Sequence, residues 1–215
     1  MELPEPAEPG VDWRKSPPLE LTPILAASLD AFYEHGYHGT TVRDIARRVG
    51  ATVPALYYHH ENKQEILFAL MDAAIDRSSS MTLVAVAEAE GQPVDAFFNG
   101  VEALVRFMAT SGKVAYLDAE IRCLTSENRE TYARKRAVVE RLMLACVEEA
   151  VASGDFAVSS PRVMSRALLG MIQGIPVWYN PAGALAVDDV VTEYVDIAAH
   201  MVGATPEVLG RVRLR

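Results

Sequence analysis

The stretch from Thr41 to Lys63 has the composition of a polyanion contact. It holds four cations (Arg43, Arg47, Arg48 and Lys63) against two anions (Asp44 and Glu61), so it carries +2 in a chain of net charge -9 and leaves -11 to the rest. Phosphate neutralisation needs Lys and Arg, so an acidic body of this kind can meet nucleic acid only at such a window. Thr41 opens the run T-V-R-D, a Thr with an acid three residues later, which is the pattern of a capping box. Its hydroxyl and the free N–H groups of a helix start also suit a phosphate. Thr52, Val53, Pro54 and Ala55 read as the first turn of another short helix, where small side chains allow close approach to base edges. Val53 and Ala55 can touch thymine methyls, and Thr52 can hydrogen-bond a base or a phosphate. Arg43 can reach base or backbone, with a solvated surface charge as the plainer alternative.

Other chemistries find little support. His59 and His60 are adjacent, so on a helix they point about 100° apart, and no partner stands at a usual ligand spacing, so no metal site is expected. Cys123 and Cys146 are the two cysteines, neither in a CxxC setting, and read as buried thiols. There is no GxSxG, no phosphate-cradling glycine loop and no HExxH, so neither catalysis nor a cofactor is expected. No run approaches the roughly 18 apolar residues of a membrane span and the start lacks signal-peptide order, so the expected location is the cytoplasm.

The elements that must hold these residues follow from caps and periodicity. Residues 1–18 contain five prolines and four acids and read as a disordered tail. Leu21, Ile24, Leu25, Leu29 and Phe32 recur at helical spacing until Gly36, giving a first helix. Thr41 to Gly50 gives a second of about eight residues, and Thr52 with Pro54 starts a third. Asn62 with Glu65 caps a fourth that runs toward Gly91, with Ser78, Ser79 and Ser80 as a place where it can fray. Further helices are expected over 93–111, 113–124, 126–153, 161–178 and 188–202. No strand pattern occurs, so the expected class is all-α: a tail to residue 18, a three-helix unit over 19–65 that carries the cation window, a larger helical unit over 66–205, and a C-terminal tail over 206–215.

Two short helices separated by a glycine turn and preceded by a longer helix match the helix-turn-helix plan. Over G-Y-H-G-T-T-V-R-D-I-A-R-R-V-G-A-T-V-P-A-L-Y-Y-H-H-E-N-K-Q-E-I-L (Gly36 to Leu67) the sequence resembles the TetR family of transcriptional regulators. The resemblance spans about residues 21–70 and implies an all-α partner domain that binds a small-molecule effector and forms a homodimer on a palindromic double-stranded operator. Ile45, Ala46, Val49, Leu56, Ile66 and Leu67 are expected as apolar pins. Tyr57, Tyr58 and His59 match the family's aromatic segment and are similar in role to phosphate clamps, with half-buried core aromatics as the alternative. Lys63 matches its phosphate-binding lysine. His60 departs from the family's usual apolar residue. Arg14 and Lys15 are the only cations ahead of the first helix, so minor-groove reading by a basic arm is not expected. A helix-turn-helix protein that has lost operator binding is the alternative function.

Beyond residue 70 the signal is thinner. Phe97, Phe98, Val101, Leu104, Phe107 and Met108 supply apolar surface for an internal pocket or for a plain core. The segment W-Y-N-P-A-G (Trp178 to Gly183) resembles the C-terminal domain of family members that govern lipid or steroid catabolism, some of which sense acyl-CoA thioesters. That resemblance makes Phe98, Met108, Arg122 and Trp178 the candidate pocket residues. Gly170 and Gly174, with Tyr194, Ala198 and Met201, are the expected dimer seam.

Overall fold

A computed structural model describes residues 12–15 and 19–212, and among them every regular element is helical. The first three are α1 (Pro23–Gly39), α2 (Val42–Val49) and α3 (Val53–His59). The Thr41 hydroxyl accepts from the amide of Asp44 while the Asp44 carboxylate accepts from the amide of Thr41, so the capping box closes as its spacing requires. Gly50 ends α2 in the left-handed region at φ 70°, where a side chain would be strained. Gly36, at φ 69° and ψ 165°, interrupts α1 and lets Tyr37 to Gly39 form a separate last turn. Ile45, Ala46, Leu56, Ile66 and Leu67 are all 3% exposed or less, and each fully buried aliphatic side chain among them contributes roughly 1.5–3 kcal/mol.

The second part begins with α4 (Lys63–Ala87), about 37 Å long, then α5 (Pro93–Thr110) and α6 (Gly112–Tyr116). The serine run does not fray α4. Ser78 and Ser79 are 3% and 2% exposed, because α5 and α7 (Ser126–Ala152) cover that face of the helix. The single helix expected over 113–124 is instead α6 followed by a 3₁₀ segment, Leu117–Cys123. The helix expected over 161–178 divides at Gly174 into α8 (Pro161–Gln173) and α9 (Ile175–Trp178), because Pro176 lacks the N–H that a continuous helix needs. Then come α10 (Val187–Met201) and α11 (Pro206–Val212).

Two readings of the chain ends change. Residues 206–212 form a helix whose Val208 is 1% exposed in the upper core, where a tail was expected. Trp13, inside the expected disordered tail, is also 1% exposed. The rest of that tail, 1–11 and 16–18, and residues 213–215 lie outside the described residues.

The apolar interior has two main parts. The upper one joins α5, α7, α8 and α10 around Phe97, Phe98 and Phe156, whose rings meet edge to face 5.2–6.0 Å apart. The lower one runs from Phe32, Ile45 and Leu56 through Leu67 and Met71 to Phe107, Leu117 and Tyr132. The helix-turn-helix unit thus shares its core with the rest of the chain, and α4 belongs to both.

Candidate nucleic-acid interface and effector cavity

The caps that shape α2 and α3 leave the candidate DNA-contacting side chains on an open face. Thr41 is exposed, and its hydroxyl donates to the Asp44 carboxylate at 2.6 Å. That bond, with Arg47 nearby, holds the Asp44 carboxyl below its usual range. Thr52 is exposed at the start of α3, accepting from the amide of Ala55 at 3.4 Å. Pro54 and Ala55 are exposed, whereas Val53 is half-buried against the lower core. Tyr57, Tyr58 and His59 are all exposed, Tyr58 at 86%, which is not the half-buried aromatic of the alternative reading, and Tyr57 at 47%, which leaves its ring about half covered.

The four cations of the window divide in the tertiary structure. Arg43 is exposed and makes no ion pair among the described residues. Arg47 is largely exposed but lies 2.8 Å from Asp44. Arg48 is tied to Glu34 on α1, which was not among the expected partners and stands 14 residues away.

Lys63 is the largest departure from expectation. Its Nζ donates to the carbonyl oxygens of Tyr37 at 2.7 Å and Thr40 at 2.8 Å, and it lies 4.2 Å from the centre of the Tyr37 ring. A cation satisfying the last carbonyls of a helix is favourable for the same reason that the helix dipole is negative there. Lys63 therefore holds the end of α1 to the start of α4 and does not extend as a free phosphate clamp. Burial pushes its pKa down.

The 3₁₀ segment touches the same place. Glu120 accepts from the amide of Tyr37, and Cys123 lies 3.4 Å from the ring of His38. On its other side Asp118 accepts from the Tyr132 hydroxyl at 2.9 Å and pairs with Arg136 at 3.3 Å, and Arg136 donates to Gln173 at 2.8 Å. Burial, then the neighbouring Asp118, raises the Tyr132 pKa far above the usual range, so it stays a neutral donor. None of these partners was legible beforehand, since each pair lies well over ten residues apart.

Arg136 and Gln173 stand between two adjoining cavities. One, about 160 Å³, is lined by Ile75, Ser78, Leu104, Met108, Val139 and Leu169; the other, about 40 Å³, is bounded by Met71, Phe107, Val114 and Tyr132. A separate open groove of about 1170 Å³ lies between α5 and α10, with Glu88, Glu90, Asp95, Glu102, Asp188, Glu193 and Asp196 against Arg14 and Arg106.

The four expected pocket residues do not converge. Met108 borders both inner cavities, and Phe98 is packed on Phe97 and Phe156 at the edge of the acidic groove. Arg122 is exposed on the 3₁₀ segment, bordering none of these spaces, because the break from α6 turns it outward. Trp178 is 52% exposed, its ring stacked 6.4 Å from Tyr194.

The expected dimer seam also divides. Gly170 is exposed, but Ala198 is 0% exposed, Tyr194 is 8% exposed and Met201 packs on the upper core, so these three face inward. The exposed apolar side chains nearby are Val163 on α8, Val177 and Trp178 on α9 and Ile197 on α10.

Two family models match the chain. Bacterial regulatory proteins of the tetR family match residues 24–70, and the tetracyclin repressor-like C-terminal domain matches residues 90–202. The chain belongs to the TetR family. Among curated relatives, the HTH-type transcriptional repressor KstR2 of Rhodococcus jostii is 27% identical over 82% of this chain and 87% of its own length. The TetR-family regulator PfmR of Thermus thermophilus, a solved structure, is 27% identical, with TM-score 0.74 over 82% of this chain and 97% of that one. The fold is also shared with AibR, solved in complex with isovaleryl coenzyme A and operator DNA, at 24% identity and TM-score 0.75 over 85% of this chain and 97% of that one. The chain is a ligand-responsive, DNA-binding transcriptional regulator of the TetR type and not an enzyme. It acts on operator DNA, a small-molecule effector and a second copy of itself, and the alternative without operator binding is not favoured. No helix of the described residues is long and apolar enough to cross a membrane.

Proposed function

We propose that this TetR-family repressor acts in the cytoplasm as a homodimer on a palindromic operator, and that an acyl-CoA thioester entering the inner cavities releases the DNA. One observation carries the reading. Ile75 and Ser78 wall the cavity from α4, and Lys63 at the start of the same helix grips the end of α1. A ligand that favours a cavity in which α4 is tilted moves the reading heads with it, and only differential affinity for the two states can do so.

The dimensions and charges favour one class of ligand. A space of about 160 Å³ beside one of about 40 Å³ suits a short acyl chain or a single ring, with Arg136 and Arg166 at its walls, which an anionic handle would draw from their present partners Asp118 and Glu140. The larger outer groove is walled by carboxylates and would repel phosphates. The steroid-catabolism likeness of the W-Y-N-P-A-G segment, together with AibR's isovaleryl coenzyme A, supports the thioester class.

On the DNA side, residues 19–65 form the reading unit, and 66–212, with Val208 of α11 in its core, the effector and dimer unit. Thr41, Tyr57, Tyr58 and His59 meet phosphates. Arg43, Thr52, Pro54 and Ala55 face the bases, Val53 presents only its outer edge, and Lys63 positions the unit. Two heads on one dimer call for half-sites about 34–36 Å apart, or a multiple of that. The dimer face is Val163, Gly170, Val177, Trp178 and Ile197.

The test is to select operator fragments with the purified protein, then titrate acyl-CoAs of differing chain and ring structure, with free acids as controls. Typical coupling of about 1–3 kcal/mol weakens DNA binding roughly 5- to 150-fold. Release by another chemical class but by no thioester would remove the acyl-CoA reading and leave the switch.

A further inference from the structure

Trp13 lies far from the DNA-contacting face. Its indole fills a slot floored by Ala85 of α4 and Ala103 of α5, both 0% exposed, with Val84 beside it. Small residues at these two positions leave room for a ring that α4 and α5 would otherwise close over. The indole N–H donates to one carboxylate oxygen of Glu88, 75 residues along the chain. Arg14 donates to the other oxygen at 2.9 Å, reaches Glu102 at 3.5 Å, and lies 3.9 Å over the centre of the indole ring. Both faces and the polar edge of the ring are thus engaged. A buried Trp removes about 150–250 Å² from water, so the ring is a strong apolar anchor for the chain on either side of it.

The position of the anchor matters as much as its strength. Glu88 is the C-cap of α4, at the opposite end from Lys63. Seven residues, 16–22, join Lys15 to Pro23 at the start of α1. Helix α1 is held to α4 at its C-terminal end by Lys63, and Trp13 and Arg14, in the chain that leads into its N-terminal end, are anchored at the last turn of α4 and the facing turn of α5.

We infer that Trp13 and Arg14 form an intramolecular strap that couples the attitude of the DNA-reading helices to the α4–α5 corner of the effector domain. The segment is a positioning element and touches no DNA. The inference rests on the DNA-binding reading only for its affinity readout. With the strap seated, α1 loses freedom to swing about the Lys63 contact, so the two reading heads are pre-organised at one separation.

The experiment compares the full-length wild type with Trp13→Ala, Trp13→Phe and Arg14→Ala, well below their unfolding temperatures. Amide exchange is followed over residues 23–32 in the free protein, and affinity is measured for the selected operator. Trp13→Ala should speed exchange across the first turns of α1 and weaken operator binding about fivefold or more, the low end of typical coupling between sites. Trp13→Phe should restore most of both, and Arg14→Ala, which leaves the buried ring in place, should move both in the same direction by less. If Trp13→Ala lowers the melting temperature while α1 exchange and operator affinity stay at wild-type values, the indole only secures the α4–α5 corner and the strap is overturned. Failure of the wild type to select any DNA would defeat the functional reading, and α1 exchange would still decide the strap.

Discussion

The ammonium of Lys63 lies 2.7 Å from the carbonyl oxygen of Tyr37, so the first residue of α4 caps the last turn of α1. Replacing Lys63 with Ala should therefore cost folding stability as well as DNA affinity. Two charge-assisted bonds at a half-buried site are worth about 1–2 kcal/mol together after allowance for solvent screening, or roughly 2–8 °C in melting temperature for a chain of this size. Thermal melts and binding to selected and unrelated DNA check this. An unchanged melting temperature with reduced affinity would return Lys63 to direct phosphate contact.

Tyr57 and Tyr58 make no hydrogen bond through their hydroxyls among the described residues, Tyr58 being largely and Tyr57 about half exposed. Tyr57→Phe and Tyr58→Phe should leave stability within about 0.5 kcal/mol of wild type. Both should weaken binding by similar factors on all sequences, since phosphate contacts carry no base information. Arg43→Ala should instead relax base preference at the position it faces, since Arg43 is on the base-facing side. A change of base preference in either Tyr variant would rule out the clamp assignment.

Val163 is 66% exposed and Ile197 39% exposed on helices that otherwise bury their apolar side chains. Val163→Glu and Ile197→Glu should shift the protein from dimer to monomer in sedimentation, with helix content kept, because each places a charge where apolar surfaces meet. Operator binding should fall steeply with it. A wild-type monomer at micromolar concentration would contradict the dimeric reading.

The imidazole of His60 has its pKa pushed down by partial burial first and by neighbouring His59 second. The unfolded chain binds that proton near the usual value of about 6.5, whereas the folded chain does so only at lower pH. The stability contribution is therefore fully present above about pH 6.5 and is lost as pH falls through the lowered folded value. Urea unfolding of wild type and His60→Gln at pH 7.5 and 5.5 should show the wild type losing more stability than the variant on acidification. Equal losses would mean that His60 is as solvated folded as unfolded.

Local structure was legible because its determinants lie within a few residues of each other. The Thr41–Asp44 box, the left-handed Gly50, the Thr52 and Asn62 caps and the period of Ile45, Leu56, Ile66 and Leu67 define the helix-turn-helix without reference to anything distant. The same holds for the helical class of the whole chain, and for the window of cations. What those cations do was not legible: Arg48 meets Glu34 across 14 residues and Lys63 meets Tyr37 across 26, so charge counted along the chain overstates the charge offered to DNA. Periodicity says that a helix has an apolar face but not what covers it. Hence Ala198 and Met201 turned inward while Val163 and Ile197 remained outside, and Ser78 and Ser79 were buried by α5 and α7. Pro176 behind Gly174 broke a helix that spacing alone extended, and Arg122 left the cavity with the 3₁₀ turn. Trp13 is the plainest case: an aromatic in a proline-rich, acidic stretch has no local apolar partner, and only the approach of Ala85 and Ala103, brought together by α4 packing on α5, gives its indole a place to be buried.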